Sequence, residues 1–431
     1  MPDKFFHSVT LDPDRCKGCT HCIKRCPTEA IRVRDGKAYI ISDRCIDCGE
    51  CVRVCPHHAK LPQFDSLDIL NSTRYKIALP APALYGQFNN LDDVDILLTA
   101  LKRMGFDDVF EVSRAAEIVS DATRRLMQQG KLKKPVISSA CPTIVRLIRV
   151  RFPELLDNLL KLNAPIEIAA MMAREEAVKK SGRAPDDIAV IFISPCPAKV
   201  TAVKMPLDVE KSNVDAVVAI KEVYPRLLPY MKEVAVRPDA LSSSGRMGIS
   251  WASSGGEAAA MLNENYLAAD GIENVIEVLE ALEDEKFSDL DFIELNSCPA
   301  GCVGGVLTVE NPYVARTRLK RLRKYLPVSC NHIPNEEIHQ IQWAREVEYT
   351  PVMELADNMA DAMTMLQELE RIAKTFPGID CGSCGAPTCR ALAEDIVRGK
   401  AHQSFCVYKM RERMQSLTDE LSQLGEKREW E

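Results

Sequence analysis

The stretch "ELNSCPAGCVGG", residues 294–305, places Cys298 and Cys302 among small residues. A Cys-x3-Cys pair is half of a four-ligand metal site, so two more thiols must come from elsewhere. The apolar run "FIEL" leads into the pair, and three other runs have the same form: "YKIALPAPA", "KKPVISSAC" and "IAVIFISPC". Continuous apolar runs bounded by turn residues suit strands buried on both faces of a parallel sheet. Helical stretches fill the gaps, among them "VDILLTALKRM", "PELLDNLLKL" and "IEIAAMMAREEAVKK". In open α/β sheets ligands bind beyond the carboxyl ends of the strands. Cys141 and Cys196 each close one of these runs and each precedes a proline, so they are the expected partners of Cys298 and Cys302. Taken singly, each would read as a small buried hydrophobe. Gly301, Gly304 and Gly305 are expected to let backbone approach a bulky inorganic group.

Before this α/β region the chain reads Cys16-x2-Cys19-x2-Cys22-x3-Cys26-Pro27, and again Cys45-x2-Cys48-x2-Cys51-x3-Cys55-Pro56, a repeat with a period of 29 residues. This is the bacterial ferredoxin run, in which the fourth cysteine of each run ligates the other cluster. Cys16, Cys19, Cys22 and Cys55 are therefore expected to hold one 4Fe–4S cluster, and Cys26, Cys45, Cys48 and Cys51 a second. Two zinc sites are the alternative, disfavoured by the doubled pattern. "AIRVRDGKAYII" between the runs reads as a hairpin turning at Asp35-Gly36.

After the α/β region come Val352, Leu355, Met359, Ala362, Leu366 and Leu369, spaced as the stripe of an amphipathic helix. Then Cys381-x2-Cys384-x4-Cys389-x16-Cys406 suits a further 4Fe–4S cluster, with a helix from Cys389 to about Lys400 in the long gap. Zinc carries more weight as the alternative here. A last stripe, Met410, Met414, Leu417, Leu421 and Leu424, predicts a helix that packs on the first or forms a homodimer seam. Of 17 cysteines only Cys330 is left over.

The chain has 431 residues, 46% hydrophobic and 27% charged, with net charge −7. That balance fits globular domains and argues against nucleic-acid or anionic-membrane partners. No apolar run has the length of a membrane span and no signal-peptide core opens the sequence. A cytoplasmic location is expected, where so many thiols serve metals rather than disulfides.

At this point the chain resembles the FeFe hydrogenases, over residues 1 to about 330. After the two-cluster ferredoxin, "APALYGQF", "GFDDVFEV", "SSACPTIVRLIRVRFPEL", "ISPCPAK", "VDAVVAIKEV", "WASSGGEAAAML" and "ELNSCPAGCVGG" follow in the family's order. The resemblance implies a multidomain α/β chain. A two-cluster ferredoxin α+β domain would span residues 1–70 and an H-cluster α/β domain with parallel sheets 71–345. Residues 346–431 would be helices flanking a small iron–sulfur domain at 375–410. It implies an H-cluster: a 4Fe–4S cubane on Cys141, Cys196, Cys298 and Cys302, with Cys302 bridging to a diiron subsite that carries CO, cyanide and azadithiolate. Lys199 in "PCPAK" would donate to a cyanide, and backbone at Ala81-Pro82 would face the diiron subsite.

The departures bear on function. Catalytic members place a proton-carrying cysteine just before the first ligand; here it is Ala140. Methionines beside the second and third loops become Ser194 and Asn296, and the pocket aromatic becomes Trp251. The acidic pair expected after "VFEV" is missing, and "DATRRLM" brings arginines. Proton transfer needs titratable groups within hydrogen-bond reach. The chain thus resembles the sensory branch of the family. That implies an oxidoreductase (H2 to two protons and two electrons) of low activity, acting as an H2 or redox sensor. The alternatives are a bulk ferredoxin-linked hydrogenase with another proton route, for which Asp121, Glu117 and Ser194 are the first candidates, or an electron-transfer protein without the diiron subsite. Expected partners are H2 and protons, a ferredoxin or signalling protein, and the maturation proteins of the diiron subsite.

Overall fold

The computed structural model describes residues 6–287 and 289–428, the last five of these by backbone only. It forms two compact units. One holds the chain up to Val9, Ile46–Gly49 and Pro62–Thr350; the other holds Thr10–Cys45, Glu50–Leu61 and the chain from Pro351 on. None of the described helices is long and apolar enough to cross a membrane.

The larger unit is α/β, with two parallel sheets. In the first, the strand Tyr75–Pro80 pairs with Asp108–Val109 on one side and Ile188–Ser194 on the other, and Ala216–Ala219 follows beside the latter. Alternation along these strands divides two cores. Ile77, Leu79, Val190, Phe192 and Val217 face one; Ala78, Ile191, Ile193 and Val218 face the other. Every residue of Ile188–Ser194 is buried, as a strand covered by helices on both faces requires. In the second sheet Phe292–Asn296 lies between Tyr266–Asp270 and Val136–Ile137. Within each sheet the strands run parallel, so the loops that follow them leave from a common edge.

"PELLDNLLKL" departs from its expected helix. Only a 3-10 turn forms, Pro153–Asn158. Leu159 then bridges to Ile137, and Leu160 N–H donates to the Ile137 carbonyl at 2.8 Å. Pairing with the short Val136–Ile137 strand satisfies backbone that a helix would have turned inward on itself.

In the smaller unit Ile31–Arg34 and Lys37–Ile40 form the hairpin, with Asp35 and Gly36 both at positive φ, as a type I′ turn needs. Of the terminal stripe, only Met359–Ala373 is helical. Asn358 caps it, its Oδ1 accepting from Asp361 N–H at 2.8 Å, so Val352 and Leu355 fall outside the helix. This helix packs on Cys389–Val397, and Leu369, Ile372, Phe376, Leu392 and Cys406 make a small core. The last helix, Val407–Arg428, leaves Met410, Met414, Leu417 and Leu421 exposed rather than packed on the first stripe.

The smaller unit also joins the two ends of the sequence. Arg32, fully buried, and Arg34 both donate to Asp395, at 2.8 and 2.6 Å. Arg44 pairs with Glu394, which also takes Arg398 at 2.8 Å. Val33 N–H donates to the Gly385 carbonyl at 2.8 Å. Gly385 has φ +76°, and a Cβ there would lie 1.9 Å from the Val33 carbonyl oxygen, so only glycine fits.

Candidate functional site

The strand ends of the larger unit surround a cavity. Cys141, Cys196 and Cys302 line it together with Lys199, Ala140, Asn296, Trp251, Ala81 and Pro82. Each arrives on its own loop. Cys141 and Cys196 immediately precede helices that begin with proline, Pro142–Arg151 and Pro197–Lys204. A proline at the first helical position has no N–H to leave unpaired, so chain reversal at the cysteine is cheap. Cys298 and Cys302 follow the strand Phe292–Asn296.

Side-chain hydrogen bonds fix the loops. Lys199 Nζ donates to the Ala140 carbonyl at 2.9 Å, tying the second loop to the first. Ser194 Oγ donates to the Cys196 carbonyl at 2.9 Å and accepts from Cys196 N–H at 3.2 Å, so Ser194 shapes the loop from behind. Trp251 Nε1 donates to Ser120 Oγ at 3.0 Å, which holds the ring at the cavity wall.

The glycines are also required by the packing of the loop itself. A Cβ on Gly301, at φ +90°, would lie 2.5 Å from Ser254 N; on Gly304, 2.0 Å from the Pro299 oxygen; on Gly305, 2.1 Å from the Pro195 oxygen. They let the third loop press backbone to backbone on its neighbours.

Burial pushes the Cys196 thiol up to about 11, with Cys141 adding to it and Lys199 opposing. Burial, then Cys196 and Cys141, push Cys302 up as well. Neighbouring thiolates in a buried wall repel one another, so this set suits a bound cation, as iron would be.

Glu257 and Glu294 also line the cavity, and neither had been singled out in the sequence. Burial first, then Glu294, raises Glu257 to about 8. Burial raises Glu294 too, against hydrogen bonds from the Ala258 and Gly255 N–H groups and Asn296. Two close buried carboxyls favour a shared proton. Ser138 Oγ donates to Glu257 at 2.6 Å and accepts from Ala140 N–H at 3.2 Å. The carboxylates flagged by sequence lie elsewhere. Glu117 accepts from Gly245 N–H at 2.8 Å and Cys330 N–H at 2.9 Å, and Asp121 pairs with Arg124 and Arg125, both at 3.1 Å.

In the smaller unit Cys22 has Cys19, Cys55 and Cys16 as neighbours, and burial raises it to about 11. Cys26 accepts from Ala30 N–H at 3.2 Å. Cys45 and Cys51 belong to this unit, and Cys48 to the Ile46–Gly49 segment of the larger one. There Cys48 and Cys141 pack against the same apolar cluster, around Ile46, Ile137 and Ile144. At the terminal motif Cys381 and Cys406 are neighbours of Cys384, and Arg34 Nη1 donates to the Cys384 carbonyl at 2.9 Å. Cys389 opens the helix that crosses the gap to Cys406. Cys330 is exposed and stands apart from these sets.

The model "Iron only hydrogenase large subunit, C-terminal domain" matches residues 74–266 and 257–306, which take in every loop of the cavity. The chain belongs to the iron-only hydrogenase family. A "4Fe-4S dicluster domain" matches residues 8–56, and an Fe–S cluster model matches 376–408. Iron hydrogenase 1 of Clostridium pasteurianum is 24% identical over 414 residues, spanning 78% of this chain and 72% of that one. The periplasmic Fe hydrogenase large subunit of Nitratidesulfovibrio vulgaris is 28% identical over 219 residues, 46% of this chain and 51% of that one. An FeFe-hydrogenase structure from Chlamydomonas reinhardtii is 15% identical, with a TM-score of 0.49 over 65% of this chain and 95% of that chain. The hydrogenase family member described here is thus an iron–sulfur redox protein with a ferredoxin domain before the hydrogenase domain and an Fe–S domain after it.

Proposed function

We propose that this chain binds H2 at an H-cluster and turns it over slowly, serving as an H2 or redox sensor. The observation that carries this reading is Ala140. Its methyl group stands in the cavity wall beside Cys141 and cannot itself carry a proton. Cys141, Cys196, Cys298 and Cys302 would hold the cubane, with Cys302 bridging to the diiron subsite. When bound, the H-cluster would supply the H2-binding iron and the electron acceptor.

The chain's own residues have separate parts. Lys199 places an ammonium in the cavity wall, held by the Ala140 carbonyl, and would donate to a cyanide ligand. Backbone at Ala81 and Pro82 would close the diiron side. Trp251, a large ring at the wall, would exclude water, while Asn296 and Ser194 orient Glu294 and the Cys196 loop. Glu257 and Glu294 would hold a proton at their carboxylate oxygens. Their proximity favours the second reading, a faster hydrogenase with its proton route through this pair.

The sixteen thiols would hold two ferredoxin clusters, the cubane and a terminal cluster, about eighteen iron atoms with the diiron subsite. A small redox or signalling protein would be the partner, and maturation proteins would deliver the diiron subsite. A reducing compartment such as the cytoplasm suits so many free thiols. The exposed stripe of Val407–Arg428 leaves a homodimer open to test by light scattering. Infrared spectra of the matured protein test the reading. CO and cyanide bands that shift under H2 support it; iron without those bands points to an electron-transfer protein lacking the diiron subsite.

A further inference from the structure

The two ferredoxin runs are related by a shift of 29 residues, and the structure preserves that relation in detail. Ala30 N–H donates to Cys26 Sγ at 3.2 Å, and Ala59 N–H donates to Cys55 Sγ at 3.3 Å. The next residue in each run is buried to the same degree, 2% exposed, but its chemistry differs: Ile31 in the first and Lys60 in the second. Ile31 is an ordinary apolar filler. Lys60 carries an ammonium into the interior, and its Nζ has no hydrogen-bond partner among the described residues. A buried ammonium without an anion is costly enough that such groups are nearly always paired. The groups that feel its charge are the sulfurs of Cys22 and Cys55. These belong to the set that also contains Cys16 and Cys19.

We infer that Lys60 is the counter-charge of the four-thiolate site Cys16, Cys19, Cys22 and Cys55, and that it sets this site at a higher reduction potential than the pseudo-symmetric site of Cys26. The inference rests on the proposed function only in that these thiols hold a 4Fe–4S cluster. Reduction adds one electron and no proton to such a cluster, making it more negative. A fixed positive charge in a dry interior favours the reduced form, and net charge and burial are among the levers that set these potentials. Ile31 offers no such charge to the other site. The chain thereby departs from two-fold symmetry at one position, and electrons from a one-electron donor would settle first on the site beside Lys60.

The test uses the full chain with its clusters reconstituted and titrated with dithionite while the reduced-cluster signals are followed by electron paramagnetic resonance. The signal missing from a Cys22→Ser variant identifies the site. Lys60→Met keeps length and apolar volume and removes the charge; Lys60→Arg keeps the charge. The expected result is that Lys60→Met moves the midpoint of that one signal to more negative potential, with the other ferredoxin signal unmoved, and that Lys60→Arg stays near the parent. Loss of this site's iron in Lys60→Met but not in Lys60→Arg equally supports a counter-charge. Unchanged midpoints at full iron content, equal shifts of both signals, or iron loss in both variants would overturn it. A parent chain without iron at this site would instead refute the reading beneath it.

Discussion

Arg34 and Asp395 are 361 residues apart in sequence, and their side chains meet at 2.6 Å. Asp395 is 4% exposed and takes the fully buried Arg32 at the same oxygen. The ferredoxin hairpin and the terminal four-cysteine motif therefore share one buried ionic core. Removing one partner of such a core strands charge, at a cost of about 3–5 kcal/mol. Asp395→Ala is expected to destabilise the smaller unit by that order and to open the terminal segment to protease. Unfolding midpoints equal to the parent's would contradict a structural role for the pair.

Glu394 gives this junction a pH dependence. Burial alone would raise its pKa, but Arg44 and then Arg398 outweigh burial and hold it below the usual carboxylate range. A carboxylate depressed on folding stabilises above its unfolded pKa, and the gain is lost as pH falls through the folded value. Protease resistance of the terminal segment should hold from neutral pH to about pH 5 and fall as pH drops below about 4. The fall should be shallower in Glu394→Gln, which starts weaker. Parallel curves for the two proteins would exclude Glu394 as the titrating group.

Lys199→Ala removes both the tie to the Ala140 carbonyl and the ammonium of the cavity wall. An acceptor left without its charged donor in a dry site costs more than an ordinary hydrogen bond. The variant is expected to retain less of the diiron subsite, read as weakened CO and cyanide bands at unchanged cubane content. Bands of full strength would count against Lys199 as a donor to that subsite.

Glu257 and Glu294 are expected to carry what proton traffic there is. Glu257→Gln cannot release a proton, and losing a positioned acid–base group costs about 10²–10⁴ in rate. H2 evolution should fall toward that extent, and its pH profile should lose the limb belonging to the carboxyl pair. Asp121→Asn and Glu117→Gln, whose carboxylates bind arginines and loop N–H groups, should leave the profile's shape alone. The reverse pattern would return the proton route to the helix Val112–Gln128.

Much of this architecture was legible because its signals are local. The doubled cysteine run, the strand-end cysteines with their prolines, and the 16-residue gap that opens with the helix Cys389–Val397 all lie within short windows. The ionic core could not be read that way. Arg32, Arg34 and Arg44 find Glu394 and Asp395 across some 350 residues, and alternating arginines in a hairpin do not say what covers them. Glu294 sat inside an apolar strand, "FIEL", where a buried carboxyl leaves a faint mark. Glu257 gave less still, one acid in a run of small residues. The "PELLDNLLKL" helix failed because pairing with Ile137 outweighed a good helical pattern. The stripe from Val352 to Leu369 extends too far because Asn358 caps the helix about two turns inside it.

The central claim is that the cavity holds an H-cluster but lacks its fast proton link at Ala140. The most direct measurement is H2 evolution from a chemically reduced donor by fully matured protein, with CO and cyanide bands confirming the diiron subsite in the same sample. H2-dependent changes in those bands are expected, with turnover about two to four powers of ten below that of a bulk hydrogenase, the usual cost of a missing acid–base relay. Turnover at the bulk rate with Ala140 in place would contradict it.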